Sequence, residues 1–164
     1  MIINFRDLGD LRKKHSGQKI VLCSGTFDLT HAGHVLFFED CEKLGDFLVV
    51  MVGNDTSIRK SKGGNRPILN EDARLKMVDA IKPVDYCFLD YLIEGRDFYF
   101  ACLRLALQKL KPDKFVINDD ANDIPERKRM VDKLGIELVV LSRNCPSEFE
   151  NISTTKIIDT IRGQ

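Results

Sequence analysis

A chain of 164 residues, 43% hydrophobic and 30% charged, has the size of one domain and enough apolar material for a core without disulfide or metal staples. Its 25 basic and 25 acidic residues give a formal net charge of zero, which removes any bulk electrostatic case for nucleic-acid binding. Cys23, Cys41, Cys87, Cys102 and Cys145 are odd in number and form no Cys-x-x-Cys pair, which argues against a disulfide framework or a zinc site; with no signal-peptide pattern and no apolar run near the ~20 residues of a membrane span, a cytoplasmic protein is expected.

Phe5, Leu8 and Leu11 recur at helical spacing and stop at Ser16-Gly17, so residues 1–17 read as a helical lead-in to one domain spanning 1–164. Ile20-Val21-Leu22-Cys23 reads as a buried strand, and Val35 through Cys41 and Leu44 as a helix. Cys23 and Cys41 fall in these apolar runs and are expected in the core.

Between strand and helix lies Ser24-Gly25-Thr26-Phe27-Asp28-Leu29-Thr30-His31-Ala32-Gly33-His34. Two histidines three residues apart share one face at the helix start. The first helical turn carries free N–H groups and the positive end of the dipole, an anion site. With two imidazoles added it suits a polyphosphate, and His31 and His34 are positioned to meet negative charge as it develops. Backbone N–H groups around Gly25, Thr26 and Phe27 would line the same cradle. Asp28 reads either as a turn-forming residue or as a group that orients a histidine or helps hold an acceptor.

Phe47 to Val52 is a near-continuous apolar run, as in strands buried on both faces of a parallel sheet. Thr56 to Pro67 is rich in Lys, Arg, Ser and Gly and reads as a mobile basic loop. Lys60, Lys62, Arg66 and Arg74 offer cations for acceptor and nucleotide phosphates, with Arg74 set in a helix rather than the loop; the alternative is a solvated charge run. Asn70-Glu71-Asp72 supplies an N-cap and an acidic first turn to a helix with the stripe Ala73, Met77, Val78 and Ile81, stopped by Pro83.

Val84 to Leu89 reads as a third strand, Phe98 to Leu110 as a helix, and Lys114 to Ile117 as a fourth strand. Asn118, Asp119 and Asp120 then form either a polar turn or a contact with acceptor hydroxyls. Ile124 to Leu134 is helical with Gly135 as its C-cap, Ile136 to Leu141 is a fifth strand, and Asn144-Cys145-Pro146-Ser147 is loop. Ser153 is a natural N-cap to a last helix carrying Ile157, Ile158 and Ile161, and Thr154 and Thr155 place hydroxyls in its first turn. By itself this is an ordinary capped helix; beside the histidine motif it offers a second anion site.

Alternating strands and helices predict a Rossmann-like α/β/α sandwich around a five-stranded parallel sheet. In such sheets ligands lie beyond the carboxyl ends of the strands. The histidine turn, the basic segment and the approach to Ser153 all follow strand ends, so all three are expected on one sheet edge.

The pattern from Asp7 to Ile161 resembles the nucleotidyltransferase superfamily marked by His-x-Gly-His, and within it the D-glycero-β-D-manno-heptose 1-phosphate adenylyltransferases of lipopolysaccharide synthesis. The matching residues are Phe27 to Val35, Lys62-Gly63-Gly64-Asn65-Arg66-Pro67 and Ser153 to Ile158. The resemblance implies transfer of a nucleoside monophosphate from a nucleoside triphosphate, ATP favoured, to a phosphorylated sugar, with release of pyrophosphate. It implies His31, His34, Lys60 and Lys62 as catalytic residues, with Ser153, Thr154 and Thr155 joining Gly25 to Phe27 around the nucleotide. Asp28, Arg66, Arg74, Asp119 and Asp120 are then the acceptor side. It further implies magnesium carried on the nucleotide phosphates, no protein metal cage, and a homodimer, with no nucleic-acid or membrane partner.

The chain departs from the heptose family after the fourth strand, where Ile117-Asn118-Asp119-Asp120-Ala121 replaces Gly-Gly-Asp-Tyr. Glycerol-3-phosphate cytidylyltransferase is similar here, with Gly-Asp-Asp-Trp, but the chain lacks that glycine and tryptophan, and Arg143 is its nearest candidate for that family's arginine before Ile-Ser-Thr-Thr. A polyol phosphate with CTP, an FAD synthetase-like activity and a non-catalytic nucleotide-binding module are the competing readings.

Overall fold

In the computed structural model, residues 1–91, 98–142, 146–149 and 152–163 are described. Arg143, and Asn144 and Cys145 of the loop expected at 144–147, lie outside the described residues. A 3-10 turn (Phe5–Asp7) leads into α1 (Leu8–Lys14) and then β1 (Ile20–Gly25). There follow α2 (Ala32–Glu42), β2 (Phe47–Val52), α3 (Asp55–Lys62), α4 (Glu71–Asp79), β3 (Tyr86–Leu89) and α5 (Phe98–Leu110). The chain continues through β4 (Lys114–Asn118), α6 (Ile124–Asp132), β5 (Glu137–Leu141), a second 3-10 turn (Ser147–Phe149) and α7 (Thr154–Arg162).

The five strands form one parallel sheet in the order β3-β2-β1-β4-β5, so the expected Rossmann-like architecture is present. The chain winds outward from β1 through β2 to β3, then returns to the other side of β1 with β4. The order therefore reverses between β1 and β4, where open α/β sheets open a crevice.

Side chains alternate across each strand, and the alternation sorts the core into two layers. Ile20 and Leu22 of β1, Val49 and Met51 of β2, and Phe115 and Ile117 of β4 pack with Leu8 and Leu11 of α1, Leu103 and Leu107 of α5, and Met130 and Val131 of α6. Val21 and Cys23, Val50 and Val52, and Val116 face the other way, onto Phe38 and Cys41 of α2 and Leu75 and Val78 of α4. Both layers exclude water, which is why these strands read as continuous apolar runs rather than alternating ones.

Two expectations are corrected here. Residues 55–62 of the basic segment are not a loop but α3, capped by the Asn54 side chain, which accepts from the Ser57 amide at 2.8 Å. Ser57 and Ile58 are buried while Arg59 and Lys60 face solvent, so a helix with a narrow inner face was hidden in a run of charges. Met77 is not part of the α4 stripe: it is 47% exposed, and the inward positions are Arg74, Leu75 and Val78.

Candidate active site

The β1–α2 connection leaves the sheet at the switch point in an uncommon backbone conformation. Phe27 and Leu29 both have positive φ, 52° and 45°. That region is costly for residues with a side chain and is retained where surrounding structure imposes it. The result is a turn that buries the Phe27 ring against Phe38 (centroids 5.0 Å apart) and sets its edge against His34 at 5.5 Å. A Cβ at position 25 would stand 2.8 Å from the Phe27 ring, so Gly25 makes room for it.

His31 is the extended N-cap of α2, and His34 stands one turn along. Their rings stack at 4.0 Å with 30° between planes. The His31 amide donates to His34 Nδ1 at 3.4 Å. An accepting Nδ1 leaves the proton of a neutral imidazole on Nε2, so His34 carries a donor on its other edge. Gly33 leaves room for this packing: a Cβ there would meet the His31 ring at 3.0 and 3.1 Å.

The start of α7 stands directly against this turn. Thr154 Oγ1 donates to the carbonyl of Asp28 at 2.8 Å, and the Ile152 carbonyl would lie 3.6 Å from a Cβ on Gly33. Ser153 caps α7 by accepting from the Lys156 amide at 3.2 Å. Two helix N-termini thus meet beside the stacked histidines. They border a cavity of about 840 Å³ whose wall includes Gly25, Thr26, Phe27, Asp28, His31, His34, Lys62, Arg66, Asp120, Ser153, Thr154 and Thr155.

Asp28 lies in the cavity wall as expected, and Arg74 does not. The Asp28 carboxylate accepts from Arg66 Nε (3.0 Å) and from the amides of Ile68 (2.8 Å) and Leu69 (3.0 Å). Its carboxylate anchors the segment that carries Arg66 to the cavity wall. Arg74 is fully buried, and its guanidinium donates to the Leu69 carbonyl (3.0 Å), the Thr26 carbonyl (2.6 Å) and Asp55 Oδ1 (2.9 Å). It ties the histidine turn, the start of α3 and the approach to α4 together from behind, and does not reach the cavity as an acceptor cation would. Lys60 and Asp119 are exposed and outside the cavity wall. The lowered pKa of Lys62 arises first from partial burial of its ammonium and then from Arg66 beside it.

The wall also contains residues that the sequence did not single out. Ser57 and Ile58 on the inner face of α3 and the exposed Ser61 line it, and Asp90 follows β3. Asn122, Asp123 and Arg127 surround the exit of β4, where Arg127 is 8% exposed, donates to the Asn122 carbonyl at 2.9 Å and lies 5.7 Å over the Phe100 ring. Asp90 had one available signal, a carboxylate at a strand's carboxyl end. Arg127 had none within its charged run. Among the described residues, no three metal-ligating side chains cluster, and no helix is long and apolar enough to cross a membrane.

Comparison with known proteins gives the chain a family and relatives of the same fold. The family model "Cytidylyltransferase-like" matches residues 22–160. The FAD synthase of Ferroglobus placidus is 33% identical over 144 residues, which are 87% of this chain and 88% of that protein. The bifunctional protein HldE of Desulfatibacillum aliphaticivorans is 34% identical over 159 residues; these span 95% of this chain but 29% of that longer protein. Among solved structures, the lipopolysaccharide core biosynthesis protein of Thermoplasma volcanium superposes with a TM-score of 0.63 at 30% identity, over 80% of this chain and 100% of that one. The pantoate-beta-alanine ligase of Francisella tularensis shares the fold at 16% identity and a TM-score of 0.61, over 99% of this chain and 77% of that one. The chain belongs to the cytidylyltransferase-like family of nucleotidyltransferases.

Proposed function

We propose that this nucleotidyltransferase moves a nucleoside monophosphate from a nucleoside triphosphate, ATP favoured, onto a phosphorylated sugar such as heptose 1-phosphate, releasing pyrophosphate. The observation that carries the reading is the meeting of the α2 and α7 N-termini, with His31 and His34 stacked between them, at one cavity. Similarity to a lipopolysaccharide core biosynthesis protein supports the sugar phosphate. A second reading, FAD synthetase-like adenylyl transfer, is favoured by one observation: the chain covers 88% of the Ferroglobus FAD synthase and 29% of HldE.

In either reading an acceptor phosphate oxygen attacks the α-phosphorus in line. A new P–O bond forms, the bond from the α-phosphorus to the α–β bridging oxygen breaks, and its electron pair departs with pyrophosphate. A phosphate is already a competent nucleophile at neutral pH, so no general base is required. The protein's task is alignment and charge. His34, through Nε2–H, and His31 meet the charge growing on the α-phosphate and leaving group, while the amides of the two helix starts and the hydroxyls of Ser153, Thr154 and Thr155 hold the triphosphate. Arg66, fixed by Asp28, and Lys62 receive the acceptor phosphate. Magnesium carried on the nucleotide phosphates would neutralise part of their charge, beside the cations Lys62 and Arg66 of the wall.

The test is pyrophosphate release by the purified chain with magnesium, ATP or CTP, and sugar phosphates, polyol phosphates or FMN. Release with ATP and a sugar phosphate is expected. Release with FMN alone supports the second reading, and release with no acceptor overturns both.

A further inference from the structure

Among the described residues the cavity wall carries three lysine or arginine side chains, Lys62, Arg66 and Arg127. Lys62 ends α3 and Arg66 follows it, on the β2 side of the sheet, where they flank the acceptor phosphate. Arg127 stands apart from them, near the start of α6 and after β4. It is 8% exposed, its Nε donates to the Asn122 carbonyl at 2.9 Å, and its guanidinium carbon lies 5.7 Å over the Phe100 ring. A guanidinium fixed along one edge and against an aromatic face is pre-organised, so it loses little freedom when it binds a ligand.

The direction of the reaction says which substrate reaches it. The histidine pair and the start of α7 lie with α2, whose Phe38 and Cys41 pack on one face of the sheet. α6 lies on the other face, where its Met130 and Val131 share a layer with Phe100 and Ile117. In-line transfer puts the entering oxygen opposite the leaving pyrophosphate, across the α-phosphorus. With the pyrophosphate held at the α2 and α7 starts, the acceptor extends from its phosphate toward α6.

We infer that Arg127 is a specificity-determining residue that grips oxygen atoms at the end of the acceptor remote from its phosphate, and so selects acceptors by length. This rests on the nucleotidyl-transfer reading and deepens it. A guanidinium only donates, so the groups it grips are hydrogen-bond acceptors: hydroxyl oxygens of a sugar or ring carbonyls of a flavin. The exits of β2 and β4 are two strand spacings apart, about 10 Å. A hydrogen bond covers about 3 Å of that span, which leaves about 7 Å for the acceptor itself. That is the reach of a hexose ring or a ribityl chain, not of a one-carbon phosphate.

The test measures pyrophosphate release and calorimetric binding by the full chain with magnesium and ATP or CTP, with mannose 1-phosphate, FMN and methyl phosphate as acceptors. Arg127→Gln should raise the KM or Kd of mannose 1-phosphate or of FMN about 10- to 100-fold, while that of methyl phosphate and of the nucleotide stays within about twofold. Whichever long acceptor responds identifies the oxygen that is gripped. Arg127→Lys keeps the charge and loses the planar fork; it should raise the same KM about 3- to 10-fold, and it carries the test if the glutamine variant does not fold. Equal losses with long and short acceptors would show a merely structural role and overturn the inference. So would a rise confined to the nucleotide KM, or wild-type kcat/KM for methyl phosphate equal to that for the longer compounds. Pyrophosphate release with none of the acceptors brings down the nucleotidyl-transfer reading, and this inference with it.

Discussion

The Thr154 hydroxyl donates a 2.8 Å hydrogen bond to the Asp28 carbonyl, joining positions 126 residues apart. This bond sets the start of α7 against the histidine turn, and so brings two anion-binding helix ends to one place. Thr154→Val keeps the shape and removes the donor. It should lower stability by about 1 kcal/mol and lower kcat by about tenfold, because a small misplacement of positioning groups is costly in catalysis. Wild-type kcat in this variant would show that the link does not position the site.

His34→Ala should reduce kcat by about 10²–10³, the usual cost of removing one charge-stabilising donor, with an unchanged circular dichroism spectrum. Full activity in this variant removes the histidine from the mechanism.

Gly33→Ala separates the stability of α2 from its function. Alanine is the better helix former by about 1 kcal/mol, yet its Cβ would meet the His31 ring at 3.0 Å. The expected outcome is a thermal midpoint near or above wild type with kcat lowered about 10-fold or more. Retained activity would mean that the ring finds another productive place.

Arg74→Met should act on the fold. It leaves Asp55 and two carbonyls without their buried donor, a loss of about 3–5 kcal/mol, seen as a lower urea midpoint. If instead stability holds and only the acceptor KM rises, Arg74 contacts the acceptor after all.

The buried thiols predict alkaline sensitivity. Burial pushes Cys87 up to about 11 and Cys102 up to about 12, with the Asp79 and Asp90 carboxylates respectively adding to the rise. In the unfolded chain these thiols lose their protons near 9, so the folded state holds more protons between those values. Their contribution is present below pH 9 and is lost as pH rises toward 11–12. Urea unfolding at pH 8 and pH 10.5 should show the drop, and Cys87→Ala with Cys102→Ala should lessen it, leaving the share of Cys23, whose thiol burial also raises. An equal drop in that double variant assigns the effect to other groups.

The five strands and the helices at α1, α2, α4, α5, α6 and α7 were legible because each has an apolar period or a cap of the right kind, such as Asn70 accepting from the Ala73 amide. α3 was not, because its inner face is only Ser57 and Ile58, too narrow to register within Asp55-Thr56-Ser57-Ile58-Arg59-Lys60-Ser61-Lys62. Charged residues were the least readable class. Within Glu126-Arg127-Lys128-Arg129 only Arg127 is buried, and the residue type does not say which way the helix turns.

From the sequence alone came the alternation of elements, the two capped helix starts and the residue types that can meet a phosphate, since periodicity, capping and side-chain chemistry are local properties. The tertiary structure decided which of those groups share a cavity. Arg66 faces it because Asp28 holds that segment, Arg74 does not because the Thr26 and Leu69 carbonyls and the Asp55 carboxylate converge on its guanidinium, and Asp90 joins it because β3 ends there. Those outcomes depend on what the long-range packing places next to each charge, and a charged side chain carries no trace in the sequence of the partner it will meet.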